Sequence, residues 1–124
     1  MSYTIQTKVE KDYVRVNVSG KQTLESNIQL VVQILEACAK NKLRKTLIDI
    51  REISGQPGIA SDYKLANRAA HEGRGLIQRA AVLYRQENHE YTSFFETAIR
   101  NRGINLLAFL DEEEAIDWLL EKQT

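Results

Sequence analysis

The stretch Thr46–Ile50, with the sequence TLIDI, is an almost unbroken apolar run, and two similar runs follow it along the chain. They are AAVLY at Ala80–Tyr84 and INLLAFL at Ile104–Leu110. Short continuous apolar runs are typical of parallel strands that are covered on both faces. Because the segments between these runs have the apolar spacing of helices, the sequence predicts parallel strands joined by crossover helices.

The N-terminal segment has a different pattern. Apolar and polar residues alternate along Tyr3–Val9 and again along Val14–Val18, with a polar turn at Glu10–Asp12 between them. Alternation of this kind predicts an antiparallel hairpin with one covered face. A Ser-x-x-Gln sequence at Ser26–Gln29 predicts the start of the first helix, and Asp111 is expected to cap the last one.

These patterns define one architecture. The predicted element order is ββαβαβαβα, in which an N-terminal antiparallel hairpin precedes a series of parallel βα units. We therefore predict an α/β fold with a mixed sheet of about five strands and about four helices. The sequence has no internal repeat and one proline, so residues 1–124 are expected to form a single domain.

Composition excludes several classes of function. Lys and Arg together number 17, as do Asp and Glu, so no net charge favours binding to nucleic acid. No apolar run approaches the roughly 20 residues that cross a bilayer. The N-terminus lacks a signal-segment pattern, and a single cysteine, Cys38, cannot form an intrachain disulfide. We therefore expect a cytoplasmic protein without a membrane span or a nucleic-acid partner.

Two segments carry a resemblance to a known family. LIDIREIS at Leu47–Ser54 and FLDEEEAIDWL at Phe109–Leu119, together with the element order, resemble the STAS superfamily, whose namesake members are bacterial anti-sigma-factor antagonists. The expected relatives are small, single-domain bacterial STAS-like (SpoIIAA-like) proteins of unknown function, a group that also resembles the CRAL-TRIO lipid-transfer fold. The resemblance implies a non-enzymatic regulatory module that binds a protein partner or forms a homodimer.

The resemblance also implies a phosphorylated serine at the start of the helix after the third strand. An ungapped placement puts Pro57–Ala60 on the antagonists' Asp-Ser-Ser-Gly motif, and none of the four positions matches. Ser54 and Ser61 are the nearby hydroxyls, but either one would need a shifted loop to act as the phosphoacceptor. We therefore predict that the phosphoserine switch is absent and that Ser61 caps the following helix.

No catalytic, metal or cofactor site is predicted. His71 and His89 lack a His, Cys, Asp or Glu partner at the spacing of a preformed metal site. Cys38 lies within a helix among aliphatic residues, where a thiol is usually inert. The carboxylates at Asp111–Glu114 fit the first turn of a helix. We therefore predict that the chain is not an enzyme and needs no cofactor.

A contact surface is predicted where the parallel strands end, because open α/β sheets place ligands and partners at that edge. Aromatic residues and arginine are enriched in binding hot spots. The six residues of this predicted rim are Arg51, Tyr63, Tyr84, Arg85, Tyr91 and Phe94.

An apolar ligand, such as a fatty acid or another lipid, is the alternative to a protein partner. The predicted helix that follows the third strand carries four alanines on its inner side, which are Ala60, Ala66, Ala69 and Ala70. Small side chains either allow close packing against the sheet or leave room for a ligand. The carrier hypothesis requires an interior pocket of at least a few hundred cubic ångströms.

Overall fold

The computed structural model describes residues 3–121, which form five strands and four helices. In chain order they are β1 (Thr4–Val9), β2 (Val14–Lys21), α1 (Leu24–Asn41), β3 (Lys45–Ser54), α2 (Ile59–Gly73), β4 (Arg79–Leu83), α3 (His89–Arg100), β5 (Leu106–Phe109) and α4 (Glu112–Leu119). A short 3₁₀ turn, Gln86–Asn88, leads into α3. This order confirms the predicted α/β class and the ββαβαβαβα arrangement.

All five strands belong to one mixed sheet, in the order β1-β2-β3-β4-β5. β1 pairs antiparallel with β2, and Val9 lies opposite Val14 across the turn. The other neighbouring strands pair in parallel. The predicted hairpin and the predicted parallel βα units are therefore both confirmed.

The helices lie on both faces of the sheet. Buried side chains of α1 pack against β2, and those of α2 and α3 pack against β4 and β5, so these three helices cover one face. α4 covers the other face, where Ala115 and Leu119 pack against Leu47 of β3 and Ala81 of β4. Within residues 3–121, no helix has the length and apolar character needed to cross a membrane.

Two predicted helix starts are wrong. α1 begins at Leu24 and not after Ser26, because Thr23 and Ser26 form a reciprocal cap. The backbone N–H of Ser26 donates to Oγ1 of Thr23 (3.1 Å), and the backbone N–H of Thr23 donates to Oγ of Ser26 (2.8 Å). Serine thus has the role usually taken by Glu or Gln in this motif. α2 begins at Ile59 after Gly58, so Ser61 lies inside its first turn and does not cap it.

Candidate functional site

The starts of α2 and α3 lie together at one edge of the sheet. β3 and β4 are parallel neighbours, so the connections that leave their carboxyl ends emerge side by side. The connection from β3 contains Gly55 and Gly58, whose φ angles of +83° and +104° favour glycine. These glycines turn the chain from the end of β3 into α2.

Three apolar side chains are grouped at these helix starts. Ile59 is 65% exposed and Tyr63, one turn later on α2, is 45% exposed. The ring of Tyr63 meets that of Phe94 on α3 edge to face, with 5.2 Å between centroids. The guanidinium of Arg102 lies 5.5 Å from the centroid of the Tyr63 ring. We call Ile59, Tyr63 and Phe94 the docking surface.

A groove of about 470 Å³ runs beside the docking surface. Its walls include Ile59 and Phe94, and they also include the carboxylates of Asp62, Glu87 and Glu90. Among residues 3–121, no lysine or arginine lines it. We call it the acidic groove.

Asp62 is the most buried charged group in the acidic groove, at 4% exposure. Burial raises the pKa of its carboxyl, and a hydrogen bond with the phenol of Tyr91 partly offsets that increase. Burial also raises the pKa of Tyr91, and the neighbouring Asp62 raises it further. In the part of the chain that the structure describes, Asp62 has no cationic partner within ion-pair distance.

A buried hydrogen-bond network lies behind Tyr91. Its hydroxyl donates to Oε1 of Gln22 (3.1 Å), which also accepts from Nδ2 of Asn27 (2.9 Å). The Gln22 amide donates to the carbonyl of Gly55 (2.6 Å), and Tyr3 donates to Oδ1 of Asn27 (2.9 Å). Burial raises the pKa of Tyr3 to about 12, so this phenol remains a donor at neutral pH. The network fixes Tyr91 relative to the loop that begins α2.

An apolar cavity of about 130 Å³ lies between the sheet and helices α1, α2 and α3. Ile48 and Ile50 of the central strand line it, as does Ala69 of α2. Of the predicted inner alanines, Ala66 and Ala70 are packed and Ala60 is exposed. Tyr91 lines both this cavity and the acidic groove, so it lies between the two.

The structure brings together only some of the six residues of the predicted rim. Tyr63, Tyr91 and Phe94 lie together around the two helix starts, as described above. Tyr84 follows β4 as expected, but it is 6% exposed, and its hydroxyl lies 2.9 Å from Nδ1 of His89. Tyr84 therefore belongs to the interior and not to a contact surface. Arg85 is exposed, and its Nε lies 3.5 Å from Glu87.

Arg51 lies on the opposite face of the sheet from the docking surface. Side chains alternate along a strand, so Asp49 and Arg51 point away from the cavity that Ile48 and Ile50 line. Arg51 also precedes the last three residues of β3. The prediction that Arg51 shares one rim with the aromatic residues is therefore wrong.

Arg51 belongs instead to a four-residue ion-pair network. Nη2 of Arg51 lies 2.8 Å from Asp49 and 3.2 Å from Glu112, and Nη2 of Arg15 lies 3.2 Å and 3.1 Å from the same two carboxylates. Burial alone raises the pKa of Asp49, but the hydrogen bonds and charge of Arg51 outweigh it and hold the pKa below its ordinary value. The hydrogen bond from Arg15 lowers the pKa of Glu112. The network joins α4 to the sheet.

The two candidate phosphoacceptors are accessible to different extents. Ser54 is the exposed last residue of β3, and Ser61 is partly buried in the first turn of α2. The first residue of α2 is Ile59, which has no hydroxyl. Within residues 3–121, no group of three or more His, Cys, Asp or Glu side chains is placed to hold a metal ion.

Sequence reasoning missed the residues that give the groove its charge, above all Asp62. A signal was present, because Asp62, Ala66 and Ala70 are spaced four residues apart and therefore share the buried face of α2. A carboxylate on a buried helical face is unusual unless it is paired. Glu87 and Glu90 gave no comparable signal, since charges at a helix start are common.

Comparisons with known proteins agree on the fold. Neither a protein-family model nor a curated protein sequence matches this chain. An anti-sigma-factor antagonist from Mycobacterium paratuberculosis is 14% identical over 95% of this chain and 94% of its own, with a TM-score of 0.63. The unphosphorylated form of the anti-sigma-factor antagonist SpoIIAA is 15% identical over 99% of this chain and all of its own (100%), with a TM-score of 0.63.

A third solved structure is more similar in sequence. It is an uncharacterized protein of the DUF3478 family from Shewanella loihica with a SpoIIAA-like fold, 23% identical over 94% of this chain and 93% of its own, with a TM-score of 0.62. The chain thus has the α/β fold of the anti-sigma-factor antagonists, that of the STAS superfamily. More particularly, its fold is SpoIIAA-like, which confirms at the level of fold the resemblance found in the sequence.

Proposed function

We propose that this chain is a non-enzymatic regulatory module that binds a protein partner, or a second copy of itself, through the docking surface. The observation that carries the proposal is the 65% exposure of Ile59 at the start of α2. Scattered exposed apolar residues are normal, but Ile59 adjoins Tyr63 and Phe94. A compact group of large apolar and aromatic side chains is typical of a binding hot spot.

The fold neighbours support a binding role, since two of them are named as anti-sigma-factor antagonists. We propose that the present chain lacks the phosphoserine switch of such proteins. Ile59 occupies the start of α2, and Ser61 lies two residues later in the first turn, where it is partly buried. Binding through the docking surface would then be controlled by something other than phosphorylation of Ser54 or Ser61.

Quantitative affinity capture tests the docking surface. Tagged wild-type chain and the variants Ile59→Ser and Tyr63→Ser would each be mixed with a lysate of the source organism, and captured proteins identified by mass spectrometry. A captured protein would then be purified and its Kd measured. Since hot-spot residues dominate binding, we expect each variant to weaken the complex at least tenfold.

The matched control is Leu76→Ser, which removes a side chain of similar exposure (47%) outside the docking surface. It should leave the Kd unchanged. If the wild type captures no protein, sedimentation equilibrium decides the homodimer alternative, and Ile59→Ser should then dissociate the dimer. A wild-type monomer without a partner, or equal affinities in all variants, would contradict the proposal.

A second candidate function is carriage or sensing of a compact apolar ligand in the interior cavity, which lacks the few hundred cubic ångströms that the lipid-carrier hypothesis requires. Its volume of about 130 Å³ lies below the roughly 300–1,000 Å³ of typical ligand sites, so a long lipid chain does not fit. It is close to the roughly 150 Å³ in which an engineered apolar cavity binds benzene. The ligand class would therefore be a single aromatic ring or a compact hydrocarbon.

Toluene is a suitable probe for this cavity. Calorimetry should show saturable binding to the wild type and none to Ala69→Leu, whose added side chain fills the space that Ala69 lines. Ala69→Leu should also raise the free energy of unfolding by about 1 kcal/mol through added apolar burial. Ala66→Leu is the control, because Ala66 is fully packed outside the cavity walls and overpacking there costs about 1–3 kcal/mol. Toluene binding that persists in Ala69→Leu would exclude the cavity as the site.

A further inference from the structure

Asp62 is a buried charge without a compensating cation. The residue is 4% exposed, and no lysine or arginine lies within ion-pair distance in residues 3–121. The phenol of Tyr91 has one proton, and Oε1 of Gln22 competes with Asp62 for it. Buried carboxylates are normally paired, because an unpaired one loses hydration without replacement. Among residues 3–121, no cation balances this carboxylate.

Helix dipoles do not supply that compensation. Asp62 lies in the first turn of α2 and Glu90 in the first turn of α3, where acidic side chains are favoured. Each helix start is equivalent to only about half of a positive charge. Arg85 lies 3.5 Å from Glu87, so Asp62 and Glu90 are the groove carboxylates without a cation within ion-pair distance in residues 3–121. Gly58, the N-cap residue of α2, has no side chain that could cap the helix. The groove therefore retains a negative potential.

The shape and walls of the groove suit a long cationic side chain. Its volume of about 470 Å³ is within the range of ligand sites. Tyr91 and Phe94 contribute aromatic walls, which attract ammonium and guanidinium groups through the ring quadrupole. His89 also lines the groove, and its Nδ1 is engaged with the hydroxyl of Tyr84.

We propose that the acidic groove receives an arginine or lysine side chain of the partner protein, with Asp62 as the buried counter-charge and Glu87 and Glu90 at the rim. The inference rests on the proposed function, because Ile59 and Phe94 belong to both the docking surface and the groove. The partner segment would thus combine apolar residues that cover Ile59 and Tyr63 with a basic residue that enters beside them. Arginine meets a carboxylate with two parallel hydrogen bonds, so it is the better occupant.

The proposal can be tested without knowing the partner. N-acetylarginine amide would be titrated into the isotopically labelled chain and followed by amide chemical shifts in NMR. N-acetylcitrulline amide is the matched probe, since it has nearly the same shape without the charge. We expect saturable shifts around Asp62, Tyr91 and Phe94 with the arginine probe, and at least tenfold weaker binding of the citrulline probe.

Variants identify the counter-charge. Asp62→Asn should weaken binding of the arginine probe at least tenfold, and Glu87→Gln combined with Glu90→Gln should weaken it less. Glu25→Gln, in the exposed first turn of α1, is the control and should have no effect. Equal shifts with the two probes, or unchanged affinity in Asp62→Asn, would overturn the proposal.

Spermidine distinguishes a protein side chain from a free polyamine. If spermidine binds the same groove far more tightly than the arginine probe, the ligand of the groove is a free polyamine and the proposed protein side chain is excluded. The probe experiment is also independent of the proposed function. Tyr63→Ser leaves the groove lining intact and should retain probe binding, whereas it should weaken capture of a protein partner.

Discussion

Arg51 and Asp49, two residues apart on β3, form a two-pronged ion pair: Nε of Arg51 donates to Oδ1 of Asp49 at 3.0 Å and Nη2 donates to Oδ2 at 2.8 Å. Both side chains project from the same face of the strand, and Arg15 from β2 reaches the same carboxylate. Glu112 at the start of α4 then contacts both guanidinium groups. The network has a structural role in attaching α4, on the face opposite the docking surface.

Removing the central carboxylate should destabilise the fold. Asp49→Ala leaves two partly buried arginines without their shared acceptor, and hydrogen bonds to charged groups contribute about 1.5–3 kcal/mol. We expect the free energy of unfolding in urea to fall by about that amount. Glu10→Ala is the control, because its partner Lys8 is 74% exposed and such surface pairs contribute less than about 1 kcal/mol. If both variants lose a similar free energy of unfolding, the ion-pair network stabilises the fold no more than an exposed surface pair does.

The two kinds of carboxylate predict opposite responses to pH. The pKa values of Asp49 and Glu112 are lowered in the folded state. The two ionised carboxylates therefore stabilise the fold fully above their ordinary pKa values of 3.8 and 4.5. This stabilisation is lost as the pH falls through the lowered pKa values. The pKa of Asp62 is raised, so its ionised form destabilises the fold and protonation relieves that effect. Asp62→Asn should therefore be more stable than the wild type at neutral pH.

This stability difference should shrink as pH falls through the raised pKa of Asp62, because the wild-type carboxyl becomes neutral there. Urea unfolding of both proteins across a pH series measures it. A difference that stays constant with pH would mean that Asp62 carries no unfavourable charge in the folded state.

Thr92 allows a test of how much a buried hydroxyl without a hydrogen-bond partner destabilises the fold. Its Oγ1 is buried and finds no hydrogen-bond partner in the described part of the chain. Thr92→Val removes that polar atom and keeps the shape, so we expect thermal unfolding to show a gain of about 1 kcal/mol. Thr46→Val is the matched control, since Oγ1 of buried Thr46 donates to the carbonyl of Val14 at 3.0 Å. That variant should lose about 1 kcal/mol, and a gain in both would point to apolar burial alone.

Helix capping can be checked by single substitutions. Thr23→Ala removes the side chain that accepts from the backbone of Ser26, and loss of such a cap costs about 1 kcal/mol. Ser61→Ala should change the free energy of unfolding by no more than a few tenths of a kcal/mol, because Ser61 lies within α2 and caps nothing. Chemical denaturation of the two variants decides between the observed helix starts and those that the sequence predicts.

The sequence by itself determined the order and type of the elements. The alternation in β2 and the continuous apolar runs in β3, β4 and β5 are local patterns that follow from whether one or both faces of a strand are covered. The alternation in β1 predicted its pairing with β2, but Ile5 alone of that strand is partly buried and Val9 is 50% exposed. The edge at which parallel strands end was also predictable, and Tyr63, Tyr91 and Phe94 do lie there.

Only the tertiary structure decided what each face of an element meets. Periodicity shows that Asp49 and Arg51 share a face, but the contact of Arg15 with Glu112 joins residues 97 positions apart in the chain. In the same way, the spacing of Asp62 with Ala66 places a carboxylate on the inner face of α2 without showing that no cation accompanies it. The cavity and the acidic groove arise from how well distant side chains fill the space between helices and sheet, and packing of that kind is a property of the assembled fold and not of any single segment.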